Sequence, residues 1–206
     1  TINGIEETDC ILIIGSNIRE EAPIINTRIR KQLLNSNIPI GLIGEQHDLT
    51  YDYEHLGNDL NILSQISEGE NDFCKKLENA KKPMIIIGQS LLTRDDCLGA
   101  FSLIENVIYK YSFILSDWNG VNTLQLSASR VGALDMKCFQ TSRSLENIYS
   151  DAENSSIKLL FSFGADEINF ERLKNTNIIY MGTHGDKGAE NASLILPSAA
   201  YTEKDG

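Results

Sequence analysis

Long apolar runs are missing from this sequence. The longest, such as Cys10-Ile11-Leu12-Ile13-Ile14, stop at a glycine after about five residues, far short of the ~20 that a membrane-spanning helix needs, so no direct membrane insertion is expected. Positive charge is also scarce. Lys and Arg number 18 against 29 Asp and Glu, and the resulting formal charge of −11 repels phosphate backbones, which makes nucleic acid an unexpected partner. The four cysteines, Cys10, Cys74, Cys97 and Cys138, contain no C-x2-C pair, the spacing from which zinc and iron–sulfur sites usually start. Reduced, partly buried thiols are expected instead. Only 4 prolines, 41% hydrophobic and 23% charged residues exclude a disordered, collagenous or disulfide-dense chain. The first residues, Thr1 to Glu7, hold neither a basic stretch nor an apolar one, so no targeting signal is legible there. The absence of an initiator Met, with a last stretch Thr202-Glu203-Lys204-Asp205-Gly206 that reads as mid-loop, leads to the expectation of a fragment.

What is present is a repeated unit. An apolar, β-branched run closing on a glycine occurs at Ile11–Gly15, Ile40–Gly44, Met84–Gly88, Leu159–Gly164 and Ile178–Gly182. Runs that are apolar at every position, bounded by Gly and alternating with helical stretches, mark parallel strands covered on both faces. The expected fold class is therefore α/β, the five runs forming a doubly wound, mainly parallel sheet with helices on both faces. A first helix is predicted from Glu20 to Asn35, with Ile25, Ile29 and Leu33 on one face and Pro23 in its first turn. A second is predicted to open with a capping-box-like Thr93-Arg94-Asp95-Asp96 and to bury Leu98, Phe101, Ile104, Ile108 and Tyr111. Shorter helices are expected around Asn58–Ser67 and Glu70–Asn79. The polar stretch from Asn119, with its Asn-Gly turn signal, separates a first α/β lobe (1–118) from a second α/β portion (157–206), expected to be truncated at its C-terminus, through a connecting segment (119–156).

Ligands of open parallel sheets bind beyond the carboxyl ends of the strands, so the glycine edges are the place to look for a site. None carries G-x-G-x-x-G or G-x4-G-K-[ST]. Gly15-Ser16-Asn17 and Gly88-Gln89-Ser90 are single-glycine loops, and the residues after several edges are acidic: Glu20-Glu21, Glu45, and Asp166-Glu167. Carboxylates at these places oppose a pyrophosphate, and Arg19 and Lys187 offset them only in part. The remaining glycine-rich loop, Gly182-Thr183-His184-Gly185-Asp186-Lys187-Gly188, holds one His and one Asp, too few to define a metal. His47 and His55 lie in a Tyr-rich loop where satisfied histidines are the simpler reading. No nucleophile sits on a G-x-S-x-G turn.

Several blocks resemble the molybdopterin-oxidoreductase-like region of the large iron–sulfur (75 kDa) subunits of respiratory NADH:quinone oxidoreductases, the complex I enzymes. They are Thr8 to Lys31, Asp48-Leu49-Thr50-Tyr51-Asp52-Tyr53-Glu54-His55-Leu56-Gly57, Lys82 to Ser90, Val131-Gly132-Ala133-Leu134-Asp135, His184-Gly185-Asp186 and Leu196 to Lys204. The likeness covers essentially the whole sequence and is weakest over Gln140 to Ser156. It implies a formate dehydrogenase-like fold, a scaffold role supporting electron transfer from NADH to quinone, other peripheral-arm subunits as partners, and a peripheral place on the cytoplasmic face of a bacterial inner membrane or the matrix face of a mitochondrial one. It implies no cofactor, metal or catalytic residue in this stretch, the 2Fe-2S and 4Fe-4S clusters belonging to a part N-terminal to it. Gly15, Ser16, Asn17, Gly88, Gln89, His184 and Gly185 would then line only a vestigial pocket. The alternative is a catalytic oxidoreductase fragment that still binds a molybdopterin guanine dinucleotide at Gly15–Asn17 and Gly182–Gly188. Lys82 to Val107 is also similar to the central nucleotide-binding domain of thiamine-diphosphate enzymes.

Overall fold

The computed structural model describes residues 2–125, 127, 129–138 and 143–204. The chain forms two compact units, Thr1–Val131 and Gly132–Gly206. In the first, a 3-10 turn at Asn3–Glu6 precedes β1 (Cys10–Ile14), α1 (Ile18–Glu21), α2 (Pro23–Asn35), β2 (Ile40–Ile43), β3 (Glu54–Gly57), α3 (Asn61–Glu68), α4 (Cys74–Asn79), β4 (Pro83–Ile87), α5 (Gln89–Leu92), α6 (Cys97–Lys110) and β5 (Val121–Thr123). These strands make one sheet in the order β3-β2-β1-β4-β5, parallel throughout, with Ile11 opposite Ile40 and Met84.

Alternation along the strands divides the apolar residues between two cores. Cys10, Leu12, Ile14, Ile85 and Ile87 point to one face, where Leu63 and Ile66 of α3, Leu77 of α4 and Ala100, Ile104 and Val107 of α6 cover them. Ile11, Ile13, Leu42, Met84 and Ile86 point to the other, under Ile18 of α1 and Ile29 of α2. The covering helices thus change face between the β1–β2 side and the β4 side. The boundary between β1 and β4 is the topological switch point.

The second unit contains α7 (Arg130–Asp135), which begins in the first, then α8 (Leu145–Glu153), β6 (Leu159–Phe163), a 3-10 turn at Phe170–Leu173, β7 (Asn177–Gly182), α9 (Lys187–Glu190), β8 (Leu194–Pro197) and a last 3-10 turn at Tyr201–Glu203. Its sheet is parallel, in the order β6-β7-β8. Tyr149 and Ala152 of α8, with Phe170, Leu173, Ile178 and Tyr180, form its core. α8 opens with a capping box in which Ser144 Oγ accepts from the Asn147 N–H and the Asn147 side-chain carbonyl accepts from the Ser144 N–H.

The expected α/β class with parallel sheets and helices holds, with four local corrections. The five apolar runs do not share one sheet: three lie in the five-stranded sheet and two in the three-stranded one. The first helix is broken at Ala22 (φ −147°, ψ 66°), because the residue before Pro23 is driven out of the helical region. The second helix begins at Cys97 with no side-chain cap, since the Asp96 carboxylate is held by a two-pronged pair with Arg94 at 2.7 and 2.8 Å. Its buried face runs through Ala100, Ile104 and Val107, leaving Leu98 exposed. The two intervening helices start later than expected, at Asn61 and Cys74. The unit boundary falls inside the segment 119–156, with β5 on the first side and α8 on the second. Of Gln140 to Ser156, where the family likeness is weakest, residues 140–142 lie outside the described residues. Cys10 and Cys74 are buried, Cys97 is half-buried and Cys138 is exposed.

Candidate functional site

Five of the seven singled-out residues converge at the switch point. Gly15, Ser16 and Asn17 follow β1, and Gly88 and Gln89 follow β4, the strand beside it. The ladder carries on into the loops: the Gly88 N–H donates to Ile14 O at 2.8 Å and the Gly15 N–H to Ile43 O at 2.8 Å. Gly15 has φ +60°, the left-handed region that favours glycine. A Cβ on Gly88 would fall on the carbonyl oxygen of Gly15, so here glycine is needed for two backbones to touch. Ser90 Oγ completes the closure by donating to Gly15 O at 2.5 Å. Gln89 Nε2 donates to Leu124 O, which turns its amide to the chain beyond β5.

The first thing an incoming pyrophosphate would need is a free amide at this loop. The Asn17 N–H is already taken by Glu21 Oε1 at 3.0 Å, a carboxylate standing where the anion would. Glu20 adds a second carboxylate in the same turn. Arg19, the nearest cation in sequence, is turned to Asp48, with 2.6 Å to its Oδ2 and 3.0 Å to its carbonyl. The Thr50 N–H and this guanidinium hold the Asp48 carboxyl below its ordinary value. Ser16 Oγ and Asn17 Oδ1 are buried with no hydrogen-bond partner. At this loop the Asn17 N–H and the Gly15 carbonyl are thus committed to the protein itself, and the charge beside them is negative, while Ser16 Oγ and Asn17 Oδ1 are uncommitted.

His184 and Gly185 belong to the second unit. His184 borders a cavity of about 640 Å³ beyond the carboxyl ends of β6 and β7, whose polar lining includes Asp166, Tyr180, Asp186, Ser198 and Lys204. Gly185 follows it in the same loop, beside Asp186. Asp186 is not free for chemistry. Its Oδ1 accepts from the Ala189 N–H at 3.0 Å, capping α9, and its Oδ2 accepts from the Tyr180 hydroxyl at 2.5 Å. The Tyr180 hydroxyl, and then the Ala189 N–H, hold the Asp186 carboxyl below its ordinary value. The same hydrogen bond pushes the Tyr180 phenol up to about 12. Gly182 and Gly188 lie against the Tyr180 ring, where any Cβ would collide with it. The glycines of this loop thus admit a buried tyrosine. His184 Nδ1 pairs with Thr183 Oγ1 at 2.8 Å and is exposed.

The Tyr180–Asp186 pair has no signature in the sequence, because a strand residue and a loop residue beyond it meet only once the loop folds back. His55 is satisfied by Gly44 O at 2.8 Å and Asn58 Oδ1 at 2.9 Å, and the His47 backbone is bound at both ends by the Tyr53 hydroxyl. Among the described residues no group of three or more His, Cys, Asp or Glu is placed to hold a metal ion, and no helix is long and apolar enough to cross a membrane.

Comparison with known proteins gives one family and a consistent set of relatives. The family described as molybdopterin oxidoreductase matches residues 1–206. The NADH-ubiquinone oxidoreductase 75 kDa subunit of Reclinomonas americana is 49% identical over 203 residues, covering 97% of this chain and 29% of its own. The corresponding G subunit of the NADH-quinone oxidoreductase of Rickettsia felis is 41% identical over 206 residues, covering 100% of this chain and 29% of its own. The mitochondrial NADH dehydrogenase [ubiquinone] iron-sulfur protein 1 of Solanum tuberosum is 37% identical over 207 residues, covering 100% of this chain and 27% of its own. The chain thus spans under a third of the length of these relatives.

Proposed function

The chain belongs to the molybdopterin oxidoreductase family, and from that premise we propose that it is a scaffold portion of the large (75 kDa) iron–sulfur subunit of a respiratory NADH:quinone oxidoreductase. In this reading it supports electron transfer from NADH to quinone without performing chemistry. It has no catalytic residue, no metal and no cofactor of its own, and the 2Fe-2S and 4Fe-4S clusters sit in another part of the same subunit. Its partners are other subunits of the peripheral arm, and its place is peripheral, on the cytoplasmic face of a bacterial inner membrane or its mitochondrial equivalent.

The observation that carries the cofactor-free reading is the Asn17 N–H bound to Glu21 Oε1 at 3.0 Å beside a Gly15 carbonyl already taken by Ser90. A carboxylate on the loop amide favours a site that has ceased to receive phosphate, since like charges at hydrogen-bond distance repel. Relatives at 37–49% identity along nearly the whole chain support the subunit assignment.

The test uses the intact complex carrying the full-length subunit. Denatured extract should contain iron but neither molybdenum nor a fluorescent pterin nor guanine nucleotide. Stoichiometric pterin or guanine nucleotide would overturn the scaffold reading in favour of a cofactor-binding oxidoreductase. Excising residues 1–206 from the full-length subunit should abolish assembly of the complex, read as loss of NADH:quinone reductase activity in membranes.

A further inference from the structure

Helix α6 of the first unit is apolar on more than its packed face. Ala100, Ile104 and Val107 are buried, and Phe101, Leu103 and Ile108 rest half-buried at the margins of the same core. Successive residues of an α-helix turn by about 100°, so the side opposite that core carries Leu98, Ser102, Glu105 and Tyr109. Leu98 and Tyr109 are 80% and 75% exposed. Beyond the Cys97 thiol and the Tyr109 hydroxyl, polar side chains on the helix are confined to Ser102, Glu105, Asn106 and Lys110. A helix that is apolar nearly all round is ordinarily covered nearly all round, and here the outer side stands open.

Charge on that side indicates what covers it. Leu98, Ser102, Glu105 and Tyr109 follow one another at intervals of four, three and four residues, the spacing at which one helix offers a seam to another. Ser102 adds no free polarity to the seam, because its hydroxyl donates back to Leu98 O at 3.1 Å. Leu98 and the Tyr109 ring supply apolar area at the two ends, and tyrosine is enriched where proteins meet. Between them the Glu105 carboxylate has no ion pair or hydrogen bond among the described residues, and Asp95, just before the helix, has none either. Lys110, the one cation of the helix, is engaged by Ser67 O at 2.9 Å and lies 5.6 Å from the centre of the Tyr111 ring. The free charge of the seam is therefore negative. Two copies joined through it would bring their Glu105 carboxylates within a turn of each other, which disfavours self-pairing.

We propose that the outer seam of α6 docks a helix of a neighbouring subunit, apolar where it meets Leu98 and Tyr109 and carrying a Lys or Arg opposite Glu105. The proposal rests on the reading above that the chain is part of a multi-subunit oxidoreductase. Apolar contacts at both ends exclude water from the middle of the seam, and there a carboxylate left unpaired is costly while a paired one is held by a charge-assisted hydrogen bond. Glu105 thus selects a basic partner against neutral and acidic ones, and Leu98 and Tyr109 supply the burial that holds it.

The test uses the full-length subunit, isolated and in the assembled complex. The thiol introduced by Ser102→Cys should react with a maleimide in the isolated subunit as fast as in the urea-unfolded chain, at any protein concentration, and at least ~10-fold more slowly in the complex, read by mass spectrometry of the peptide that carries it. Fast labelling in both states would overturn the proposal. Slow labelling in the isolated subunit would overturn it too, in favour of the subunit's own chain if it persists on dilution and of a second copy if it does not. Charge is tested separately. Glu105→Lys should lower recovery of the subunit in the complex at least ~10-fold, and Glu105→Gln by less, with the unfolding midpoint of the isolated subunit unchanged because the three residues have similar helix propensities. Wild-type recovery of Glu105→Lys would overturn the basic partner. Co-purification of the wild-type subunit with NADH-oxidising activity is scored first: its failure overturns the subunit reading and this inference with it, whereas wild-type co-purification with unprotected Ser102→Cys overturns this inference alone.

Discussion

In the first unit every residue of β1 and β4 is buried and helices lie on both faces of the sheet. In the second, Leu159, Phe161 and Phe163 of β6 and all four residues of β8 are exposed. Both units build parallel strands from apolar runs ending at glycine, so strand composition does not explain the contrast. The first unit reverses its winding between β1 and β4 and closes the reversal with a backbone contact at Gly88. The second has no such reversal among its described residues, and two polar groups tie its elements together. Arg172 forks to Glu146 at 2.7 Å and Glu153 at 2.6 Å while lying 4.6 Å from the centre of the Tyr149 ring, and Asp186 ties α9 to Tyr180. A sheet covered on both faces by one stretch of chain owes its cohesion to burial. A half-covered one buries less, so its surface ion pairs and caps, each weaker and more sensitive to salt and pH, form a larger share of what remains.

Mutations should separate the two kinds of cohesion. The largest effect is expected for Leu12→Ala, which empties a fully buried site between β1 and the α3–α6 layer and should cost about 4 kcal/mol in urea unfolding. Phe161→Ala, on the bare face, should cost less than about 1 kcal/mol in the 206-residue chain and about 3 kcal/mol in the full-length subunit if that face is covered there. Equal costs for Leu12→Ala and Phe161→Ala in the short chain would break the comparison. Gly88→Ala should destabilise by about 3 kcal/mol, because backbone meets backbone and neither loop can yield cheaply, whereas Gly185→Ala, with open space around it, should stay within about 0.5 kcal/mol.

Smaller effects concern the polar holding of the second unit. Arg172→Met should lower the thermal midpoint by an amount that shrinks as salt is raised, while the same salt series leaves Leu12→Ala unchanged relative to wild type. The Asp186 carboxyl has its folded-state pKa depressed, so it contributes stability that is present above the ordinary aspartate value of 3.8 and is lost as pH falls through the lower folded value. Asp186→Asn should therefore erase part of the acid sensitivity of the second unit, seen as a smaller difference in unfolding midpoint between about pH 6 and about pH 3. An unchanged acid profile would show that the Tyr180–Asp186 bond does not hold α9 in place.

Legibility in the sequence followed the source of each element's stability. β1, β2, β4, β6 and β7 announced themselves because each is an apolar, β-branched run punctuated by glycine. β3, β5 and β8 did not stand out: Glu54-His55-Leu56-Gly57 and Val121-Asn122-Thr123 are short and partly polar, and they are strands because β2 and β4 present partners to them. The break at Ala22 is legible in Pro23, although a proline in a first turn is equally compatible with one helix from Glu20. Leu98 looked like core by its spacing, and its exposure depends on which face of α6 meets α3. At the switch point, Gly15 and Gly88 were singled out for their place after strands, and the acidity of Glu20-Glu21 for its charge. That Glu21 reaches back onto the Asn17 N–H, and that Gly88 abuts Gly15 across two neighbouring strands, required the fold.

Local chemistry along the chain determined the α/β class, the parallel strands, the glycine edges and an excess of negative charge at them, since all four depend on residue type and spacing. Tertiary structure decided the rest: which runs share a sheet, where the winding reverses, and which polar groups are already spent on one another. These depend on contacts between residues distant in sequence, such as Ser90 with Gly15. It also decided that the apolar face of β6 and β8 stands open, because a strand carries its hydrophobicity with it whereas the layer that buries it comes from elsewhere in the chain.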